Sequence, residues 1–287
     1  MNSVRQYRAS LLIVGFIVIT TFVYSSVFAY EKEGLLTVAF LDVGQGDAIF
    51  IETPRGNQML IDGGRNASVL RELSKVMSFS DRTIDVVMAS HPDADHIAGL
   101  IGVFNRYVVG AYFDPGVMHD TAEYKTLLEK VHEEGVTVTH ARKGTKIYLD
   151  KEVYVDILFP DRDVSRVETN LGSIVLRVVY RETEILLTGD SPKSIEEYLV
   201  SRDGNALGSD ILKVGHHGSK TSSAEDFVKA VNPEYAIISA GKDNSYGHPH
   251  KEVVELLKSR GIRTMSTGDM GTIVFESDGL SLVYKKR

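Results

Sequence analysis

The stretch MASHPDADHIAGL, from Met88 to Leu100, places two histidines and two aspartates within six residues, His91 to His96. The apolar run IDVVMAS leads straight into it and reads as a buried strand, so the polar cluster begins where a strand ends. In α/β architectures that is where chemistry is placed. His91, Asp93, Asp95 and His96 follow one another across a turn closed by Pro92 and leading into a helix at Ile97. This spacing lets imidazoles and carboxylates converge on one or two cations, and both ligand types suit zinc or manganese. The competing reading is a solvated loop in which Asp93 or Asp95 caps the helix that follows. So short a motif does not separate the two by itself.

Three further signals fall at the ends of apolar strands. EILLTGD ends in Asp190, DILKVGHHGS carries His216 and His217, and SYGHPH supplies His248 and His250. Each alone reads equally well as a turn residue, and their recurrence favours a shared site. The chain has no cysteine, so any metal is held through nitrogen and oxygen. His119, His132 and His140 sit in ordinary helix, loop and strand contexts and read as structural or surface residues.

At 287 residues and 43% hydrophobic content, the chain can build a sizeable core in one large domain or two small ones. Its net charge of -7 gives no overall basic field, so a nucleic-acid partner needs a local patch. YRETE and SRDGN are not basic patches, and no aromatic-basic interleaving marks a stacking groove. At the N-terminus, LLIVGFIVITTFVYSSVFAY (Leu11 to Tyr30) is uncharged and follows Arg5 and Arg8. That length spans a bilayer, and the arginines place the N-terminus in the cytoplasm. A buried core helix is the bland alternative. SVFA before Tyr30 offers the small residues of a cleavage site, but the run exceeds a signal-peptide core, which favours an uncleaved anchor. Residues 1–33 are therefore expected to be a membrane anchor or signal peptide, and residues 34–287 an extracytoplasmic domain.

LLTVAFLDVGQG, DAIFIETPRGN and QMLIDGG read as consecutive strands of a meander. ASVLRELSKVM and TAEYKTLLEKVHEEG read as helices, VTVTHA as a strand, and KIYL, VYVDILFP, SIVLRVVY and TEILLTGD as a strand-rich middle. The last third alternates helices PKSIEEYLVS, SAEDFVKAV and HKEVVELLKSRG with strands DILKVG, YAIISAG, RTMST, TIVFES and LSLVY. Without a Pro/Ser-rich linker between the halves, this is an α/β (α+β) chain folding as two packed sheets with helices outside.

In that order, SHPDADHIAGL, LLTGD and LKVGHHGS resemble the metal-ligand motifs of the metallo-β-lactamase fold. LDVGQGDAIFIE, LIDGG and YGHPH narrow the resemblance to the metallo-hydrolase domain of ComEC-type competence proteins, from Leu35 to the C-terminus. The resemblance implies an αββα four-layer sandwich with two divalent cations, zinc or manganese, along one edge. His91 and Asp93 would serve the first cation, Asp95 and His96 the second, with Asp190 bridging and His216 completing the second site. His216 is preferred because it is nearer the strand end and adjacent side chains usually point apart, which leaves His217 either supporting a ligand from behind or facing substrate. Asp95 or Asp190 would orient the attacking hydroxide, and His248, Lys220 and Asn244 would meet a phosphate. The turn HGSKTSS, opening a helix near Ser223, would add backbone N–H groups suited to an anion. Asp47 of GQGD, a turn lacking the lysine and helix of a phosphate-binding loop, would point toward the metal edge, and Asp62 would support a ligand histidine.

Two departures from the superfamily pattern stand out. Asp93 replaces the usual histidine, as is typical of the ComEC-like branch. The third histidine of the first site has no match in ETNLGSIVLRVVY, where Asn170 or Ser173 would take its place, making that site oxygen-rich and weaker. The function implied is an exported, metal-dependent phosphodiesterase, a nuclease acting on DNA during DNA uptake. The alternatives are a cell-envelope phosphodiesterase (phosphorylcholine or teichoic-acid linkages), a lactone or β-lactam hydrolase, and a non-catalytic binding module with a degenerate metal site.

Overall fold

The computed structural model describes residues 12–22 and 34–286. A helix, α1, covers residues 12–22. The strands of the first half are β1 (Leu36–Phe40), β2 (Ile49–Glu52), β3 (Gln58–Ile61), β4 (Thr83–Met88), β5 (Val108–Asp114) and β6 (Val138–His140). Those of the second are β7 (Lys146–Tyr148), β8 (Val153–Phe159), β9 (Val175–Tyr180), β10 (Thr183–Leu187), β11 (Ile211–Lys213), β12 (Tyr235–Ile238), β13 (Arg263–Ser266), β14 (Ile273–Ser277) and β15 (Leu282–Lys285). One sheet has the order β15-β14-β1-β2-β3-β4-β5-β6, the other β13-β12-β11-β10-β9-β8-β7.

Most of these strands are buried on both faces, and the two-residue period of a strand sorts their side chains into layers. Leu36, Val38, Phe40, Ile49 and Ile51 meet Val153, Val155, Ile157, Leu176 and Val178 in the core between the sheets. The alternate residues Ala39, Phe50 and Leu60 pack outward on α2 (Ser68–Val76), α3 (Ala94–Phe104) and α4 (Ala122–Glu133) through Leu73, Leu100 and Leu127. On the other side, Val175, Leu186 and Leu212 pack on α5 (Lys193–Asp203), α6 (Glu225–Val231) and α7 (Lys251–Ser259) through Leu199, Phe227 and Leu257. The result is the expected helix-sheet-sheet-helix order. A bulge between Ile157 and Phe159 turns Phe159 from the central core to the outer one.

The sequence reading differs from the structure in three places. VVGAYFD, not singled out in the sequence, is strand β5. Its Gly110 interrupts the β-branched pattern, and a Cβ there would come within 2.7 Å of Asp85 O on the neighbouring strand. Helix α3 begins at Ala94 rather than Ile97, so Asp95 and His96 lie in its first turn. A short helix, α8 (Thr267–Met270), links β13 to β14, after which the chain returns to the first sheet and pairs antiparallel with β1.

Strands β3 to β6 run parallel, as do β10 to β13. The loops that follow β4, β10, β11 and β12 therefore leave from carboxyl ends, where open parallel sheets place their sites. Among the described residues no helix is long and apolar enough to cross a membrane. Much of the expected 1–33 segment, including SVFA, lies outside the described residues. The part described, residues 12–22, exposes Leu12, Ile13, Phe16, Ile19 and Phe22.

Candidate metal centre

Four loops build the site. The first leaves β4 through Ser90 and His91 into α3, with Asp93 in the N-cap position. Its carboxylate makes no capping hydrogen bond and lies 3.6 Å from His91 Nε2, so the capped-loop reading does not describe it. The second follows β10 and ends in Asp190. The third follows β11, where His216 (φ 48°) and His217 (φ 55°) both adopt the left-handed conformation that side chains with a Cβ resist. It is pinned to the second by the His216 N–H donating to Gly189 O (3.1 Å) and by Ser222 Oγ donating to Ser191 O (2.7 Å). The fourth, GQGD, crosses the start of α3 so closely that a Cβ on Gly46 would stand 2.0 Å from Asp95 O. Glycine is required there, and the close crossing carries Asp47 in beside His217.

Asp190 Oδ2 is the point of convergence. His96 Nε2 and His217 Nε2 each lie 3.4 Å from it, His216 Nε2 3.7 Å and His91 Nε2 3.9 Å. The two nearest nitrogens are themselves 3.4 Å apart. Asp95 Oδ2 lies 3.6 Å from His217 Nε2. His91, His96, Asp190 and His217 are buried.

Each inward-facing imidazole is held from behind. His96 Nδ1 donates to Asp62 Oδ2 (2.8 Å), and Ser90 donates to the same carboxylate from N and Oγ (both 2.7 Å). Ser90 Oγ also lies 3.0 Å from His91 Nδ1. His217 Nδ1 donates to Ser239 O (2.8 Å), and His216 Nδ1 lies 3.0 Å from Thr221 Oγ1. Outer partners of this kind fix the tautomer and leave Nε2 for a ligand. Asp47 belongs to this outer set. It sits 3.3 Å from Nδ1 of His217, behind the ring, and its other oxygen is paired with Lys213 Nζ at 2.8 Å.

Burial works against the charge on Asp190, but His217 and His96 outweigh it and hold the carboxyl well below the usual range. Burial likewise opposes a proton on His96 and His217, and Asp190 reverses this, raising both well above the ordinary histidine value. On His216, more exposed and beside its neighbour's imidazole, burial prevails and the value falls. On Asp95, burial is outweighed by His217 and His96, and its carboxyl is far below the usual range. Three carboxylates among four imidazoles thus call for positive charge at their centre.

The donor set fits a divalent cation. His96 Nε2, His217 Nε2 and Asp190 Oδ2 form a nearly equilateral triangle of 3.4 Å edges. Nitrogen and oxygen ligands placed tetrahedrally about 2.1 Å from zinc sit about 3.4 Å apart. His91 Nε2 and Asp190 Oδ1 are buried with no hydrogen-bond partner, which a ligand role accounts for. So too are Asn170 Oδ1 and Ser173 Oγ, in the segment expected to replace the third histidine. Ser173 stands beside Ser90 and Gly189.

Other expectations are corrected. The His216 and His217 side chains do not point apart. Consecutive left-handed residues swing both rings to one side, and His217 rather than His216 completes the tight triangle. Asn244 is consumed by its own turn: Oδ1 accepts from Tyr246 N and His248 N, and Nδ2 donates to Gly241 O and His248 O, so it is not free for a phosphate. The N–H groups of Ser223 and Ala224 are taken by the buried Glu196 carboxyl at 2.9 and 2.6 Å, so that helix start is already occupied from within the chain. Lys220 is exposed, its backbone N–H donating to His250 Nδ1 (3.2 Å). His248 packs its ring on His216 and His217, with centroids 5.6 and 6.2 Å away. Lys213 and Ser90 were not singled out in the sequence. A lysine inside the apolar strand DILKVG was the available signal for the first.

Comparison with known proteins places this geometry. The family model of the metallo-beta-lactamase superfamily matches residues 41–242. ComE operon protein 3 of Bacillus subtilis is 31% identical over 255 residues, covering 83% of this chain and 32% of the relative. Competence protein ComA of Neisseria gonorrhoeae is 30% identical over 268 residues, covering 93% of this chain and 35% of the relative. The chain thus spans about a third of the length of these relatives. Among solved structures, the metallo-beta-lactamase fold protein YhfI of Bacillus subtilis superposes with a TM-score of 0.53 at 13% identity, covering 85% of this chain and all of YhfI. Igni18, a metallo hydrolase of Ignicoccus hospitalis, gives 0.51 at 12% identity, covering 84% and 98%. These two show the fold alone. The match over residues 41–242 takes in more than half of the chain and agrees with the observed two-sheet architecture: the protein belongs to the metallo-β-lactamase superfamily.

Proposed function

We propose that this hydrolase is a metal-dependent phosphodiesterase that cleaves DNA at the outer face of the membrane, with residues 1–33 as its anchor. The observation that carries the chemistry is the convergence of four imidazole Nε2 atoms on Asp190 Oδ2. In this reading His91 and Asp93, with Asn170 or Ser173 beside them, hold one cation. His96, His217 and Asp95 hold a second, with His216 at the margin and Asp190 shared. Two such cations, zinc or manganese, supply Lewis-acid polarisation of a phosphoryl oxygen and lower the pKa of water.

The chain's own groups do the rest. Asp95 and Asp190, both ionised, accept hydrogen bonds from the attacking water and orient it. Burial together with the neighbouring imidazoles of His217 and His216 pulls His248 down to about 4, so it stays neutral and offers an N–H to a phosphoryl oxygen rather than a proton to the leaving group. Lys220 provides a cation at the edge. DNA as substrate is supported by relatives named, in Neisseria gonorrhoeae, for competence and, in Haemophilus influenzae, for recombination. The anchor is supported by the uncharged run behind Arg5 and Arg8 and by the apolar exposure of residues 12–22.

The test is hydrolysis of plasmid and single-stranded DNA against a panel of choline phosphodiesters, lactones and β-lactams, each with zinc or manganese. DNA cleavage abolished by chelation is expected. Cleavage of a choline ester without DNA cleavage would overturn the nuclease reading.

A further inference from the structure

Beyond the metal residues, the rim of this edge carries an arrangement that hydrolysis by itself does not require. From His217 outward the rings form a ladder. His248 lies 6.2 Å from His217 with 32° between planes, and Tyr246 stacks on His248 at 5.8 Å and 21°. The outermost ring is 51% exposed, although burying such a ring is favourable. It is not loosely held: the Asn244 turn fixes the backbone of both Tyr246 and His248. Across the edge, Arg65 from the loop after β3 brings Nη2 to 3.4 Å from Tyr246 Oη, joining residues 181 positions apart in the chain. Lys220 and Lys242, both exposed, follow β11 and β12, two of the strands whose loops build this edge. A chain of net charge -7 thus presents an exposed aromatic ring with a guanidinium at its edge, two ring-to-ring steps from His217.

Building on the phosphodiesterase reading, we infer that Tyr246 is a stacking platform for one unpaired nucleobase and that Arg65 contacts the adjoining backbone phosphate, so that the site selects single-stranded nucleic acid. Tyr246 is two ring-to-ring steps from His217, within reach of a nucleotide whose phosphate lies at the metal residues. A base inside a duplex has both faces covered and would have to be unstacked first. Stacking on an aromatic ring accepts any base, and a guanidinium suits phosphate by charge and geometry.

The test is binding of fluorescent oligothymidylate and of an abasic strand of equal length to the full chain in detergent, read by anisotropy, with hydrolysis of both followed separately. The intact strand is expected to bind about tenfold more tightly than the abasic one. Tyr246→Ala brings that ratio close to one, and Tyr246→Phe, which keeps the ring and loses the Arg65 contact, retains it. Arg65→Ala weakens both strands alike and lowers the salt slope by about one. An unchanged ratio in Tyr246→Ala, or equal binding of the two strands by the wild type, would overturn the platform. A preserved binding ratio without hydrolysis under either metal would leave the platform standing and defeat the phosphodiesterase reading instead.

Discussion

His96 Nδ1 lies 2.8 Å from Asp62 Oδ2, and the carboxylate that holds it is itself held by Ser90 N and Oγ at 2.7 Å. The consequence is a fixed tautomer, with Nε2 aimed at Asp190. Asp62→Asn sets an amide donor against either the His96 Nδ1–H or the Ser90 N–H, since both carboxylate oxygens accept, and about 10- to 100-fold in zinc affinity should be lost. Competition against a chromogenic chelator measures this. Affinity equal to wild type would mean that Asp62 does not orient His96.

Lys213 is fully buried, and its ammonium reaches Asp47 Oδ2 (2.8 Å) and Val214 O (3.0 Å). Burial works against the Asp47 charge, but Lys213 and then His217 outweigh it and bring the carboxyl down to about 2. Removing one partner strands a buried charge, so Lys213→Met should cost about 3–5 kcal/mol in urea unfolding of the metal-free protein. Asp47→Leu combined with Lys213→Met should recover most of that loss. Additive single losses would show that the two charges do not depend on each other.

The strands were legible because most are short, β-rich apolar runs bounded by turn residues, as expected of strands buried on both faces, and the ligands because each follows such a run. VVGAYFD was missed since Gly110 answers a close approach of Asp85 O, a tertiary fact with no local signature. The His216 and His217 choice failed because two successive left-handed residues reverse the usual alternation of side chains. Asn244 and the Ser223 N–H groups looked available for phosphate, but a turn and a glutamate 27 residues upstream of Ser223 had already engaged them. Polar groups at strand ends can thus be found from sequence, whereas their hydrogen-bond partners depend on long-range packing. Arg65 and Tyr246 illustrate the same point across 181 positions.

Glu196 underpins the histidine loop, accepting Ser223 N and Ala224 N, and burial outweighs those bonds to push its carboxyl up to about 7. Because the folded value lies above the ordinary 4.5, its contribution to stability is complete below pH 4.5 and fades as pH rises through 7. At about 1.4 kcal/mol per pH unit, the wild type loses up to about 3 kcal/mol from this group across that window. Glu196→Gln does not titrate there. Urea midpoints of both proteins, metal-free, at pH 5 and pH 8 should show the wild type's relative stability falling with pH. A difference independent of pH would place the carboxyl in an ordinary environment.

The central claim is that Asp190 Oδ2 is the meeting point of a two-cation site. Metal content by inductively coupled plasma mass spectrometry, after zinc loading and desalting, tests it most directly in wild type and Asp190→Ala. The expected result is two zinc ions per folded wild-type chain and fewer than one in the variant. Two ions retained by a folded Asp190→Ala chain, or none held by the wild type, would contradict it.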